Sequence, residues 1–252
     1  MDVTNRFVLD FSLRGGGRVL DYGCGAGRVV TAGRRAGLTI FGVDVFYGGS
    51  ATRSEGEASG LLGGVIRELG PDGGIPFPDG FFDLVTNNQV MEHVENLDAV
   101  LAEIHRVVRP GGKVLSLFPA VDVWREGHIG IPFSHWFRHG SAVRFYYTWL
   151  LRACGLGTWK EQSPTARQWA LDKLEWIDRW TRYRSREDIY ASYNRLFGNR
   201  LQERDYIVYR LLHAPGALRR GLVQLMQVDL FAAVAEVLFR KLAFLVIVSE
   251  KR

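Results

Sequence analysis

A chain of 252 residues, 47% hydrophobic and 23% charged, holds enough apolar material for one large domain and excludes a disordered or collagen-like polymer. Its two cysteines, Cys24 and Cys154, lie far apart and outside any C-x-x-C pattern. That excludes a disulfide framework, and a reducing, cytoplasmic compartment is the expectation. The net charge is +5 and basic residues are denser after Arg125, so an anionic partner is allowed. No Lys/Arg run exceeds two residues, however, and nothing reads as a dedicated nucleic-acid module.

Taken in chain order, the N-terminus lacks the charged start and apolar run of a signal peptide. Residues 18–118 then alternate short apolar runs with helical stretches, the pattern of βαβ units and a mainly parallel sheet. Arg18 to Asp21 is the first strand, 26–36 a helix closed near Gly37, and Leu38 to Val43 the second strand. Residues 50–64 carry four glycines and predict only a short helix; 65–67 is the third strand. Pro71 to Gly80 is turn and loop, and Phe81 to Thr86 the fourth strand.

Val94, Leu97, Leu101, Ile104 and Val108 recur at helical spacing, and Pro110-Gly111-Gly112 stops that helix before a fifth strand at Lys113 to Phe118. Beyond Pro119 the periodicity fades, and 119–140 reads as a loop or lid. Residues 141–154 are helical, 156–161 a candidate strand, 165–240 mostly helical, and Leu242 to Val248 a closing strand. The apolar stretch Leu222 to Val248 is interrupted by Asp229, Glu236, Arg240 and Lys241, so no charge-free run reaches the roughly 20 residues of a membrane span. Packing of 217–241 beneath the closing strand is the expectation, with docking on a membrane surface the lesser reading.

The strongest motif is VLDYGCGAGRVV, residues 19–30. Gly23, Gly25 and Gly27 let the chain turn sharply between strand and helix and bring a ligand onto bare backbone. A dinucleotide fingerprint G-x-G-x-x-G fails here, because its last position falls on Arg28 or Val30. Asp21 puts a negative charge at the loop entrance, which suits a cationic or amine-bearing ligand better than a pyrophosphate. Asp44 ends the second strand 21 residues after Gly23, beside the same crevice, where a carboxylate can hold a pair of ribose hydroxyls.

These segments, with FGVDVF, IPFPDGFFDLV and EIHRVVRPGGKVLSLFP, resemble the successive motifs of class I S-adenosylmethionine-dependent methyltransferases, over roughly residues 17–118. The likeness is greatest to the broad group that includes quinone and small-molecule methyltransferases. It implies an α/β fold: a Rossmann-like, mainly parallel seven-stranded sheet flanked by helices, with a helical insertion before the last strand. It also implies S-adenosylmethionine as cofactor and S-adenosylhomocysteine as product, with Gly23, Gly25 and Gly27 along the methionine moiety, Asp44 on the ribose and Val45 at the adenine. The family often adds an acid after the third strand; Glu68 and Asp72 are the candidates. The organisation expected is one domain, with a cofactor-binding core over 1–118, the loop or lid over 119–140, a mostly helical acceptor-side region over 141–240 and the closing strand over 241–252.

The segment Thr86 to His93 follows the fourth strand at the ligand-binding edge of such a sheet. There Asn88 and Gln89 can hydrogen-bond the cofactor or the acceptor. Glu92 and His93 resemble an acid–histidine pair frequent in this group, though an acid beginning a helix is also plain dipole complementarity. In EGHIGIPFSHWFRHG the histidines at 128, 135 and 139 do not have metal-ligand spacing, and no metal is expected from them. His128 and His135 are candidates for acceptor contact or general base, against an equal reading as structural histidines. Trp169, Trp176, Trp180 and Tyr183 fall near one helix face, a stripe that reads first as core and second as the wall of an apolar acceptor pocket.

The function expected is methyl transfer by direct displacement to a small-molecule acceptor, apolar or anionic, with catalysis mainly through positioning. The rivals are an NAD-dependent oxidoreductase and a non-catalytic cofactor-binding or interaction protein. Acceptor and oligomeric state are left open.

Overall fold

The computed structural model of the chain describes residues 1–46, 52–58, 60–215 and 219–252. An N-terminal helix α1 (Val3–Gly15), capped by the Asp2 carboxylate on the amides of Thr4 and Asn5, precedes the sheet. The expected alternation follows: β1 (Arg18–Tyr22), α2 (Arg28–Arg35), β2 (Thr39–Asp44), α3 (Thr52–Ala58), β3 (Ile66–Glu68), β4 (Phe82–Asn88), α4 (Leu97–Val107) and β5 (Val108–Phe118). The short helix expected within 50–64 is α3; positions 50, 51 and 59 lie outside the described residues. After β5 come α5 (Ala142–Ala153), α6 (Ala166–Trp180), α7 (Arg186–Leu196), β6 (Phe197–Leu201), α8 (Glu203–His213), α9 (Arg219–Leu225), α10 (Asp229–Leu242) and β7 (Leu245–Lys251).

The seven strands lie in the order β3-β2-β1-β4-β5-β7-β6, and only β7 runs antiparallel to the rest. Adjacent residues along the central strands enter opposite cores, as a strand buried on both faces requires. Leu20, Val85 and Val114 point into a cluster with α4 and α7. Val19, Leu84 and Leu115 point to the other face, against α1, α2 and α8. The register sets Asp21 beside both Gly42 and Thr86, so β1, β2 and β4 end together at one edge.

Three sequence expectations need correction. Residues 156–161 are not a strand: Gly155 and Gly157 take φ of +94° and +95°, Trp159 takes +54°, and 160–162 close into a 3-10 turn. The sixth strand is β6, inside the stretch expected to be mostly helical, where FGNRL pairs along β7 as a sheet edge. Residues 217–241 also do not form one helix packed beneath the closing strand. Positions 217 and 218 lie outside the described residues, and the rest is two helices bent by 108° at Met226–Val228. α10 attaches through Ala232 and Phe239, while Leu230, Val234, Val237 and Leu238 face outward. Among the described residues no single helix is long and apolar enough to cross a membrane.

Residues 119–140 are a loop with one 3-10 turn at Ser134–Trp136. Ile129 and Ile131 from it pack with Trp169 and Ile177 of α6 in a third, smaller cluster.

Candidate active site

Two groups of polar side chains meet at the carboxyl edge of the sheet. The first surrounds the glycine loop after β1. Gly23 and Cys24 donate their amides to the Val43 carbonyl at 2.8 and 3.1 Å, which folds the loop over the end of β2. Gly23 has φ +74° and a Cβ there would sit 2.4 Å from Val90; Gly27 has φ +72° and would meet Ile66 at the same distance. Both positions therefore demand glycine twice over, by dihedral and by space. Asp44 fastens the turn from below, its Oδ2 accepting the Gly25 amide at 2.8 Å and its Oδ1 that of Phe46 at 2.9 Å.

Asp21 lies beneath the loop, 5% exposed, accepting the Thr86 hydroxyl at 3.2 Å. Burial pushes its carboxyl up to about 7; the Thr86 bond opposes this and the nearby Asp44 charge adds to it. A cavity of about 320 Å³ opens above, lined by Asp21, Gly23, Cys24 and Asn88, by Asn5 of α1 and by Thr52 and Glu55 of α3. Asn88 donates to Asn5 Oδ1 at 3.0 Å, which ties the N-terminal helix to this edge.

The second group is drawn from three distant segments. Arg184 donates to the carbonyls of Met91, Val94 and Glu95, and the Arg182 amide donates to the Glu92 carbonyl at 2.6 Å. This clasps the β4–α4 loop to the α6–α7 link and brings Tyr183 inward. The Tyr183 hydroxyl donates to Glu126 Oε1 at 2.6 Å, and the same carboxylate takes the Ile129 amide at 2.7 Å and His128 Nδ1 at 2.6 Å. Burial pushes Glu126 up, but these donors together outweigh it and hold its carboxyl below the usual range. Conversely, burial pulls His128 down while Glu126 and Glu92 overcome it and hold the imidazole above its ordinary value. His128 Nε2 faces His93 Nε2 at 3.2 Å, and His93 Nδ1 donates to the Trp180 carbonyl at 2.7 Å. Trp176 packs against both imidazoles, with centroids 5.2 and 6.0 Å away. Glu92 is buried beside them with neither carboxylate oxygen hydrogen-bonded, and burial pushes it up to about 7.

Residues 20–116 match the protein-family model described as a methyltransferase domain. The chain is 31% identical to a demethylmenaquinone methyltransferase of Symbiobacterium thermophilum over 54% of its own length and 52% of that protein's. It is equally identical to a malonyl-acyl-carrier-protein O-methyltransferase of Serratia marcescens, over half of each chain. The chain thus spans about half the length of the curated relatives it matches. A solved S-adenosylmethionine-dependent methyltransferase of Mesorhizobium loti shares the fold, with a TM-score of 0.55 and 17% identity, covering 100% of this chain and 98% of that one. Residues 20–116 thus match a methyltransferase domain, and the chain shares its fold with a solved S-adenosylmethionine-dependent methyltransferase.

Nothing in these likenesses supports the nicotinamide alternative. Of the residues singled out in the sequence for the cofactor, Asp21, Gly23 and Asn88 line the cavity. Gly25 and Gly27 shape its loop from behind, and Asp44 anchors that loop. Val45 stands exposed beside Asp44. Gln89 turns away from the cavity: it adopts φ +57° and its side-chain amide donates to the Leu117 carbonyl at 3.3 Å. Glu68 pairs with Arg53 of α3, and Asp72 accepts the Gly74 amide within its own turn.

Among the acceptor-side candidates, Glu92, His93 and His128 come together, whereas His135 does not join them. Its Nε2 donates to the Val121 carbonyl at 3.1 Å and its ring packs on the back of Tyr183. The aromatic stripe divides: Trp169 is core, Trp176 faces the imidazoles, and Tyr183 lies beyond the end of α6. Glu126 was missed, and Tyr183 was read only as part of the aromatic stripe. No local pattern marks their pairing, because it is supplied by the tertiary clasp of Arg182 and Arg184.

Proposed function

We propose that this chain transfers the sulfonium methyl group of S-adenosylmethionine to a small, partly apolar acceptor by direct displacement. The observation that carries the reading is the pairing, at one sheet edge, of a glycine-walled cavity containing the buried Asp21 with an acid–imidazole relay that runs from the buried Glu126 through His128 to the exposed His93. The sulfonium already activates its methyl, so the first requirement is alignment of acceptor, methyl and sulfur. In this reading Asp21 and Asn88 receive the methionine end of the cofactor, Gly23, Gly25 and Gly27 let it approach the backbone, and Asp44 and Val45 receive the adenosine.

The imidazole pair gives the site a means of accepting a proton from an acceptor hydroxyl as the new bond forms. The ionised Glu126 supports a positive charge on His128, as a carboxylate behind an imidazole does in other general bases. Trp176 supplies an apolar flank, which favours an acceptor with a hydrocarbon or aromatic body. The names of the relatives, one a quinone-precursor methyltransferase and one an O-methyltransferase, agree with that class of acceptor.

The test is calorimetric titration of the purified chain with S-adenosylmethionine, S-adenosylhomocysteine and NAD, followed by transfer of radiolabelled methyl to a panel of phenols, quinols and carboxylic acids. Micromolar binding of both sulfur ligands and label transfer to a panel member are expected. Binding of NAD alone overturns the reading; cofactor binding with no transfer to any acceptor leaves a binding protein in its place.

A further inference from the structure

Two neutral imidazoles that meet nitrogen to nitrogen need a positive charge between them. His93 Nδ1 lies 2.7 Å from a carbonyl oxygen, which can only accept, so that nitrogen carries the proton. His128 Nδ1 lies 2.6 Å from Glu126 Oε1 and likewise donates. Each neutral ring is thereby left with an Nε2 lone pair, and the two lone pairs face one another across 3.2 Å. Beside them Glu92, 1% exposed, has neither oxygen hydrogen-bonded. One carboxylate oxygen of Glu92 and one ring nitrogen each of His93 and His128 lie within 4.8 Å of one another.

We propose that Glu92, His93 and His128 bind a divalent transition-metal ion, through one carboxylate oxygen and the two Nε2 atoms. Imidazole nitrogens sit about 2.1 Å from such an ion, and two of them 3.2 Å apart then subtend an angle of about 100°, within the tetrahedral-to-octahedral range. The outer partners have the form metal sites use, each ligating ring donating its far N–H to a carboxylate or a carbonyl, here Glu126 and Trp180. Two imidazoles with one carboxylate select Zn²⁺, Mn²⁺ or Fe²⁺ over Ca²⁺ and Mg²⁺, which prefer all-oxygen shells. The spacing of 128, 135 and 139 gives no hint of this set, since it combines His128 alone with the residue pair after β4.

Three protein ligands leave coordination positions open. If the methyl-transfer reading holds, and this part rests on it, those positions take one or two oxygen atoms of the acceptor, which makes the substrate a hydroxylated or dioxygenated compound; with both Nε2 atoms on the ion, ligation to the metal rather than an imidazole base would favour loss of the acceptor's proton.

The experiment is titration of the metal-free full chain with Mn²⁺ and Zn²⁺ by calorimetry, and with Co²⁺ by visible absorption, which reports imidazole ligation directly. One ion per chain is expected, with a dissociation constant at or below about 10 μM. Glu126→Gln should weaken binding by about 10–100-fold through loss of ring orientation, and the double variant His93→Ala, His128→Ala should abolish it. Titration of each variant with S-adenosylmethionine reports whether the fold is intact. Absence of stoichiometric binding, or binding that survives the double variant, overturns the proposal; the pair would then share a proton. Because metal and cofactor are titrated separately, metal binding without cofactor binding sinks only the methyltransferase reading, and the reverse sinks only the metal site.

Discussion

Asp21 of β1 and Asp44 at the end of β2 are carboxylates beside the same glycine loop, with different surroundings. Asp44 accepts two backbone amides and fastens the loop, whereas Asp21 has only the Thr86 hydroxyl and is buried. A carboxyl raised to about 7 by burial is largely protonated in the ligand-free chain at mildly acid pH. Because its folded value stands above its unfolded one, Asp21 makes the free chain progressively less stable as pH rises from about 4 to about 7. A cationic ligand has the opposite sign, since it favours the ionised form. Affinity for S-adenosylmethionine should therefore rise by up to about tenfold per pH unit below about 7 and level off above it. Asp21→Asn should flatten the profile. Calorimetry from pH 5.5 to 8 checks this, and a level wild-type profile would remove Asp21 from the cofactor site.

The elements of the first half were legible because each carries its own local signal. Val19-Leu20-Asp21 ahead of a glycine turn, and the three- and four-residue steps of α4, reflect burial by neighbours close in sequence. β6 carries no such signal: Gly198, Asn199 and Arg200 are poor strand formers, and only pairing along β7 makes them one. The glycine loop was legible for the same reason as α4, whereas Glu92, His93 and His128 were legible only as separate candidates, and their meeting with Glu126 and Tyr183 was not, because it depends on the Arg182 and Arg184 clasp.

α10 shows how a local pattern can mislead. Its sequence reads as a helix with a buried apolar face, yet Leu230 is 78% and Val234 52% exposed, while the half-buried Arg240 pairs with the buried Glu203. The seat of this helix is narrow. Ala232→Asp should destabilise the chain by about 3 kcal/mol or more by burying an unpaired charge. Val234→Ser should stay within about 0.5 kcal/mol, as for an ordinary surface change. Urea unfolding of the two variants tests this, and equal losses would mean that the outward face is not solvent-facing.

On the scale of the molecule, the polar groups are gathered at one edge of a seven-stranded sheet, but they are gathered on different terms. The cavity group spans β1, β2 and β4, paired strands whose register fixes it. The imidazole group depends on Arg184 reaching Met91 across 93 residues of chain. Closing a loop of that length costs about 4 kcal/mol of chain entropy beyond a constant, and nothing nearby repays it until α6 and α7 have docked. The order of events during folding follows from that difference: the parallel core assembles first and the clasp last. In a refolding experiment, binding of radiolabelled S-adenosylmethionine should return before the hydrogen-exchange protection of the Arg182 amide. Simultaneous recovery would show that the two halves fold as one cooperative unit. With the clasp last, a newly made chain would pass through an interval in which the glycine-loop cavity is complete and the imidazole group beside it is not.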